Sequence, residues 1–131
     1  MANYTLKNLK DDVKDAAPDG GLAPGLEAHF AGQALELEES GVSYFRLAPD
    51  FRIPFGHTHG SQEEVYVLLS GSARIKLDDE VHELRPLDAV RMASDVTRNL
   101  EAGPDGAEVL AYGAPNVGLG DADMQPGWWT D

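Results

Sequence analysis

The chain contains no cysteine, which removes disulfides and thiolate metal sites from consideration without naming a compartment. Basic residues are scarce: 10 Lys and Arg stand against 23 Asp and Glu, for a formal charge of −13. Such an exterior repels phosphate backbones and anionic membrane surfaces, so neither nucleic acid nor membrane is expected as a partner. No window approaches the roughly eighteen apolar residues that a membrane helix needs. The stretch from Met1 to Lys14 also lacks the continuous apolar core of a signal peptide, and a soluble cytoplasmic protein is expected. Absent too are a Gly-x-x-x-x-Gly-Lys phosphate cradle and a Gly-x-Gly-x-x-Gly after a strand. The four scattered histidines assemble no Ser-His-Asp set, which argues against hydrolase and nucleotide-binding functions. At 131 residues the chain is long enough for one compact domain and one site.

What is present reads as short strands separated by turn formers. Residues 1–25 are polar and end in Pro18-Asp19-Gly20-Gly21-Leu22-Ala23-Pro24-Gly25, too dense in turn formers for helix or central strand, so an arm or loop is expected. Strands are predicted from Glu27 to Phe30, Val42 to Leu47, Arg52 to His59 and Glu64 to Leu69, with Ala34 to Glu39 open between helical turn and strand. Gly71 is expected to supply positive φ to a tight hairpin before Ala73 to Leu77, where Ala73, Ile75 and Leu77 face inward and Arg74 and Lys76 stay wet. Further strands follow over Glu80 to Leu84, Asp88 to Met92, Val96 to Glu101 and Ala107 to Tyr112, the last after a Gly103-Pro104-Asp105-Gly106 turn. The tail is rich in Gly, Pro and Asp but carries Trp128-Trp129, which predicts that it packs against something.

One stretch carries chemistry. His57 and His59 lie two apart on a predicted strand, so both imidazoles project from one face. A short break at Gly60-Ser61-Gln62 then brings Glu63 and Glu64, whose side chains face opposite ways, so one of the two can join the histidines. Two imidazoles and one carboxylate with open positions suit Fe(II), Mn(II), Zn(II) or Ni(II).

The run Gly56-His57-Thr58-His59, four residues, Glu64, six residues, Gly71 resembles the first signature of the cupins, and the resemblance extends over roughly residues 42–112. It implies an all-β, jelly-roll barrel holding a metal or small ligand inside. The spacing to Gly71 selects Glu64 and leaves Glu63 to the rim. The implied organisation is an arm at 1–25, a barrel at 26–115, and a tail at 116–131 that packs on the barrel or on a partner subunit. The second signature normally passes through a Pro-x-Gly turn to a histidine that supplies a fourth ligand. Here the matching stretch is Ala93-Ser94-Asp95-Val96-Thr97-Arg98, and Leu87-Asp88 replaces the earlier Gly-Asp pair. Arg98 falls at the fourth-ligand position, give or take one residue.

Arginine has no lone pair to offer and stays charged, so it cannot replace a histidine ligand. Three outcomes are open for it: clamping a substrate carboxylate or phosphate at the barrel mouth, pairing with Glu64 in a metal-free barrel, or pointing to solvent. Tyr66 and Phe55, with Arg98, are the expected substrate-binding residues, since aromatic walls suit a ligand cavity. His29 and His82 would serve as ligands only if the fold turned them inward. The strand after Glu64 is apolar on both parities: Val65, Val67 and Leu69 oppose Tyr66 and Leu68. A one-sided sheet should alternate, so its outer face is expected to be covered, and the resemblance implies a homodimer. Two functions are consistent with these residues. One is a metal-dependent enzyme acting on a small organic ligand, such as an oxygenase or isomerase; the other is a non-catalytic small-molecule-binding cupin, metal-free or with a vestigial site.

Overall fold

The computed structural model describes residues 3–117 and 119–131; the first two residues of the expected arm and Gly118 of the expected tail lie outside the described residues. Eight strands form one curled antiparallel sheet: β1 (Leu26–Phe30), β2 (Gly41–Leu47), β3 (Phe55–His59), β4 (Glu63–Leu77), β5 (Glu80–Leu84), β6 (Ala89–Met92), β7 (Arg98–Ala114) and β8 (Ala122–Pro126). The spine is the pairing of β4 with β7 along nearly their whole length. The first half of β4 and the second half of β7 belong to a layer ordered β1-β2-β7-β4-β6, and their other halves to a layer ordered β8-β3-β7-β4-β5. Two layers that share bent strands make a jelly-roll barrel. The core lies between them and includes Leu47, Tyr66, Leu68, Ile75, Met92, Leu100 and Val109.

The sequence expectation of two strands joined by a hairpin at Gly71 is corrected: β4 runs unbroken through it. Gly71 does adopt positive φ (81°), but inside an irregularity of the ladder, where Gly103, Pro104, Asp105 and Gly106 of β7 stand opposite Ser72 alone. A second register shift leaves Leu69 unpaired between Leu68 and Ser70. Such bulges bend a strand, which is what lets β4 and β7 pass from one layer to the other. For the same reason the expected turn at 103–106 does not divide β7 into two strands. Beyond the second bulge the alternation is as expected, with Ala73 and Ile75 buried.

The loop of residues 31–40 resolves the ambiguity of Ala34 to Glu39 in favour of turns, with Leu35 N–H donating to Ala31 O and Leu37 N–H to Gly32 O. The arm packs on the barrel. Asp15 Oδ1 accepts from the amides of Ala17 and Ala28, and Val13 and Ala17 are buried. The tail contributes a strand that the sequence reading did not anticipate. β8 pairs with β3 from Phe55↔Pro126 to His59↔Ala122, after which Trp129 sits beside the guanidinium groups of Arg52 and Arg74 and Trp128 beside Lys76. No helix among the described residues is long and apolar enough to cross a membrane.

Candidate metal centre

His57 and His59 come from β3 and Glu64 from the start of β4, so the set depends on the tight reversal between them. Asp121 holds that reversal: its Oδ2 accepts from the amides of Ser61 (3.1 Å) and Gln62 (3.2 Å), and its carbonyl accepts from Gly60 N–H. A Cβ at Gly60 would come within 2.5 Å of Asp121 Oδ1, so only glycine allows this approach. The period-two geometry of β3 then brings both imidazoles to one face, with ring centroids 5.0 Å apart and planes at 84°.

Glu64 Oε1 lies 3.8 Å from His57 Nε2 and 3.4 Å from His59 Nε2, and one ligand atom from each residue falls within 4.8 Å of the others. Two ligands each about 2.1 Å from a shared tetrahedral ion would stand about 3.4 Å apart, so the spacing is close to that of a metal set. The three side chains are 18%, 9% and 13% exposed. His59 Nδ1, His59 Nε2 and Glu64 Oε1 are buried with no hydrogen-bond partner. Buried polar atoms are rarely left so: Nδ1 faces Asp121, while His59 Nε2 and Glu64 Oε1 face each other and fit an ion that would satisfy both. Burial alone would raise the Glu64 pKa, but the adjacent His57 and His59 outweigh it and hold the group down at about 2, so it is an anion ready to bind a cation. On the far side of His59, Asp121 Oδ2 stands 3.6 Å from Nδ1, where a carboxylate orients a ligating imidazole.

The three side chains line one wall of a cavity of about 830 Å³ between β1, β2, β3, β4, β7, β8 and the 31–40 loop. Phe55 and Tyr66 are on its wall, together with Gln62, whose Nε2 donates to Pro115 O. The Tyr66 hydroxyl pKa is raised well above the ordinary value, first by burial and then by the Glu64 charge, with Arg98 opposing.

Arg98 does not point to solvent: it is 0% exposed. It is paired with His57 in the β3–β7 register. No ion pair joins it to Glu64 or to any other carboxylate among the described residues. Its Nε meets Met92 Sδ at 3.4 Å, Nη2 donates to Ala93 O at 3.2 Å, and Nη1 is unpartnered. It is also not part of the cavity wall, where its neighbour Asn99 appears instead. His29 is buried but bonded to Val13 O and Glu27, a packing role, and His82 is exposed, so neither joins the centre. Glu63 is directed outward toward Arg91.

The structure superposes on that of a cupin protein from Bacteroides fragilis with a TM-score of 0.72, at 28% identity over 91% of this chain and 90% of that one. The fold is that of the cupin superfamily. Two other solved cupin folds resemble it at lower identity. KdgF from Halomonas sp. aligns with a TM-score of 0.68 and 15% identity over 86% of this chain and 94% of that one. Oxalate decarboxylase from Bacillus subtilis aligns with 0.77 and 20% over 95% of this chain but only 33% of its own length. No protein-family model and no curated protein matches the sequence. Asp121 and Gln62 were not anticipated as parts of the site. Asp121 reaches it only because β8 folds back on β3, and no local pattern in the sequence announces that pairing.

Proposed function

We propose that this chain is a cytoplasmic cupin that binds one divalent metal through His57, His59 and Glu64 and a small organic ligand in the adjoining cavity, and that it works as a homodimer. The observation that carries the metal is the convergence of His57, His59 and Glu64 on the cavity wall, with His59 Nε2 and Glu64 Oε1 both buried and unpartnered. A bound divalent ion would supply Lewis acidity at its open positions, as Fe, Mn, Zn or Ni all can. The protein's own groups supply the rest. Asp121 places a carboxylate on the Nδ1 side of His59, Phe55 gives the cavity an apolar wall, and Tyr66, kept protonated by burial and the Glu64 charge, is a hydrogen-bond donor on that wall. The enzyme reading, an oxygenase or isomerase, is supported by a three-residue donor set beside a cavity large enough for a substrate. A non-catalytic binding cupin is the second reading, favoured by the sequence resemblance, which puts Arg98 in place of a fourth histidine ligand. In either case Arg98 carries a fixed positive charge whose field reaches the Tyr66 hydroxyl.

Metal analysis of untagged protein, after incubation with each of the four ions and desalting, tests the reading. One ion per chain is expected in the wild type, with binding lost in His59→Ala and Glu64→Gln. A wild-type protein that retains none of the four ends it.

A further inference from the structure

The cavity beside the centre has a composition that restricts its ligand. Its wall includes Leu26, Phe30, Phe45, Ile53, Phe55 and Leu100, and no lysine or arginine lines it among the described residues. The only carboxylates on the wall among the described residues are Glu36 and Glu64. Seven of the ten basic side chains are engaged elsewhere: Arg46 pairs with Glu27, Arg52 and Arg74 with Glu101 and Asp131, Lys14 with Asp19, Arg91 with Glu63, Lys76 lies against Trp128, and Arg98 is turned to Met92 and Ala93. A ligand with two or three negative charges would therefore be stripped of water against apolar side chains with no protein cation to compensate it. A divalent ion neutralised once by Glu64 leaves a single positive charge to be matched. The volume, about 830 Å³, is far more than a two-carbon acid fills and lies in the range that encloses a drug-sized molecule.

We propose that the ligand of this cavity has an apolar body, aryl or medium-chain alkyl, and one oxygen-donor head that is neutral or singly negative, and that dicarboxylates, tricarboxylates and phosphate esters are excluded. The head group rests on the metal reading above; the apolar body rests on the cavity wall alone. Recognition divides accordingly, with the head at His57, His59 and Glu64 and the body against Phe30, Phe45 and Ile53. Each methylene buried there should tighten binding about fourfold.

The test uses the full chain loaded with Co(II), followed by visible absorption, and titrated with acetohydroxamate, octanohydroxamate, oxalate and citrate. Octanohydroxamate should bind at least about 100-fold more tightly than acetohydroxamate, allowing for incomplete burial of its six extra methylenes. Oxalate and citrate should bind more weakly than octanohydroxamate. Phe30→Ser, at the partly exposed end of β1, should shrink the chain-length advantage while leaving acetohydroxamate affinity in place. A parallel arm takes metal-free protein and compares 1-octanol with ethylene glycol by thermal shift, where stabilisation by octanol alone is expected. If Co(II) does not bind, the metal reading fails and the octanol arm still decides the apolar cavity. Equal affinity for the two hydroxamates, or oxalate binding tighter than octanohydroxamate, overturns the inference with the metal reading intact.

Discussion

Asp121 serves two partners with one carboxylate: the amides of Ser61 and Gln62, and the Nδ1 side of His59. Those amides hold its pKa below the ordinary carboxylate range, Ser61 most strongly. Outer carboxylates of this kind fix the tautomer and ring orientation of a ligating histidine, and their loss typically costs about 10–100-fold in metal affinity. Asp121→Asn keeps an acceptor for the amides but not the charge. A chelator-competition titration should show metal affinity down by that factor with the thermal transition nearly unchanged; unchanged affinity would remove Asp121 from the centre. Arg98 poses the opposite case, a charge that is fully buried, lacks a carboxylate partner and leaves Nη1 unsatisfied. Replacing buried charges by apolar groups of similar volume is often neutral or stabilising. Arg98→Met should leave stability unchanged or raise it by up to about 2 kcal/mol in urea denaturation, and should raise metal affinity by removing a like charge. Destabilisation beyond about 2 kcal/mol would mean that the Ala93 and Met92 contacts matter more than desolvation. His57, His59 and Glu64 were legible because strand alternation and a short reversal fix where such side chains go. The inward direction of Arg98 was not, since an arginine on a short strand carries no local sign of which face it takes.

At the scale of elements, the alternating and apolar runs marked where strands lie but not where they end. Glycine and proline punctuate a sequence in the same way whether the chain reverses or merely bulges, so the stretches around Gly71 and Gly103 to Gly106 read as turns. The structure keeps both strands continuous and uses these residues to bend them. β8 was illegible for a different reason: Ala122–Pro126 has little of the branched or aromatic content of a strand, and it is held by backbone pairing to β3 and by the Trp128 and Trp129 contacts that follow. Gly71 tests the bulge directly. It sits at φ 81°, and a Cβ there would lie 2.0 Å from the carbonyl oxygen of Gly106, a backbone atom on the partner strand that cannot swing away. Left-handed backbone costs a non-glycine residue about 1–2 kcal/mol before any clash. Gly71→Ala should therefore lower unfolding free energy by at least about 2 kcal/mol and disturb the β4–β7 ladder. A loss below about 0.5 kcal/mol, the range of an ordinary surface substitution, would show that the bulge is not fixed by this residue.

For the whole molecule, the two layers close over the core and the cavity, yet one outer face stays apolar. Val65 lies beside Tyr112 and Val67 beside Leu110 in the β4–β7 register, with Leu69 in line; Tyr112 is 50% and Leu69 41% exposed. The sequence announced the anomaly through the lost alternation after Glu64, and among the described residues neither the arm nor the tail covers Leu69 or Tyr112. The proposed homodimer would bury this stripe against its symmetric copy. Each chain also carries a formal charge of −13, so two copies repel one another while their apolar faces attract. The balance fixes a salt dependence with a definite sign. Added salt shortens the reach of the repulsion, to about 10 Å at 0.1 M and about 3 Å at 1 M, and leaves apolar burial intact. Light scattering on a sizing column should therefore show the dimer fraction rising from low to high salt. An association driven by pairing of opposite charges would fall over the same range. Leu69→Glu combined with Tyr112→Glu places charge in the stripe and should give a monomer at every salt concentration, with metal content unchanged because neither residue faces the cavity. A wild type that is monomeric throughout the range would remove the dimer and leave the stripe as an exposed apolar face of a single chain.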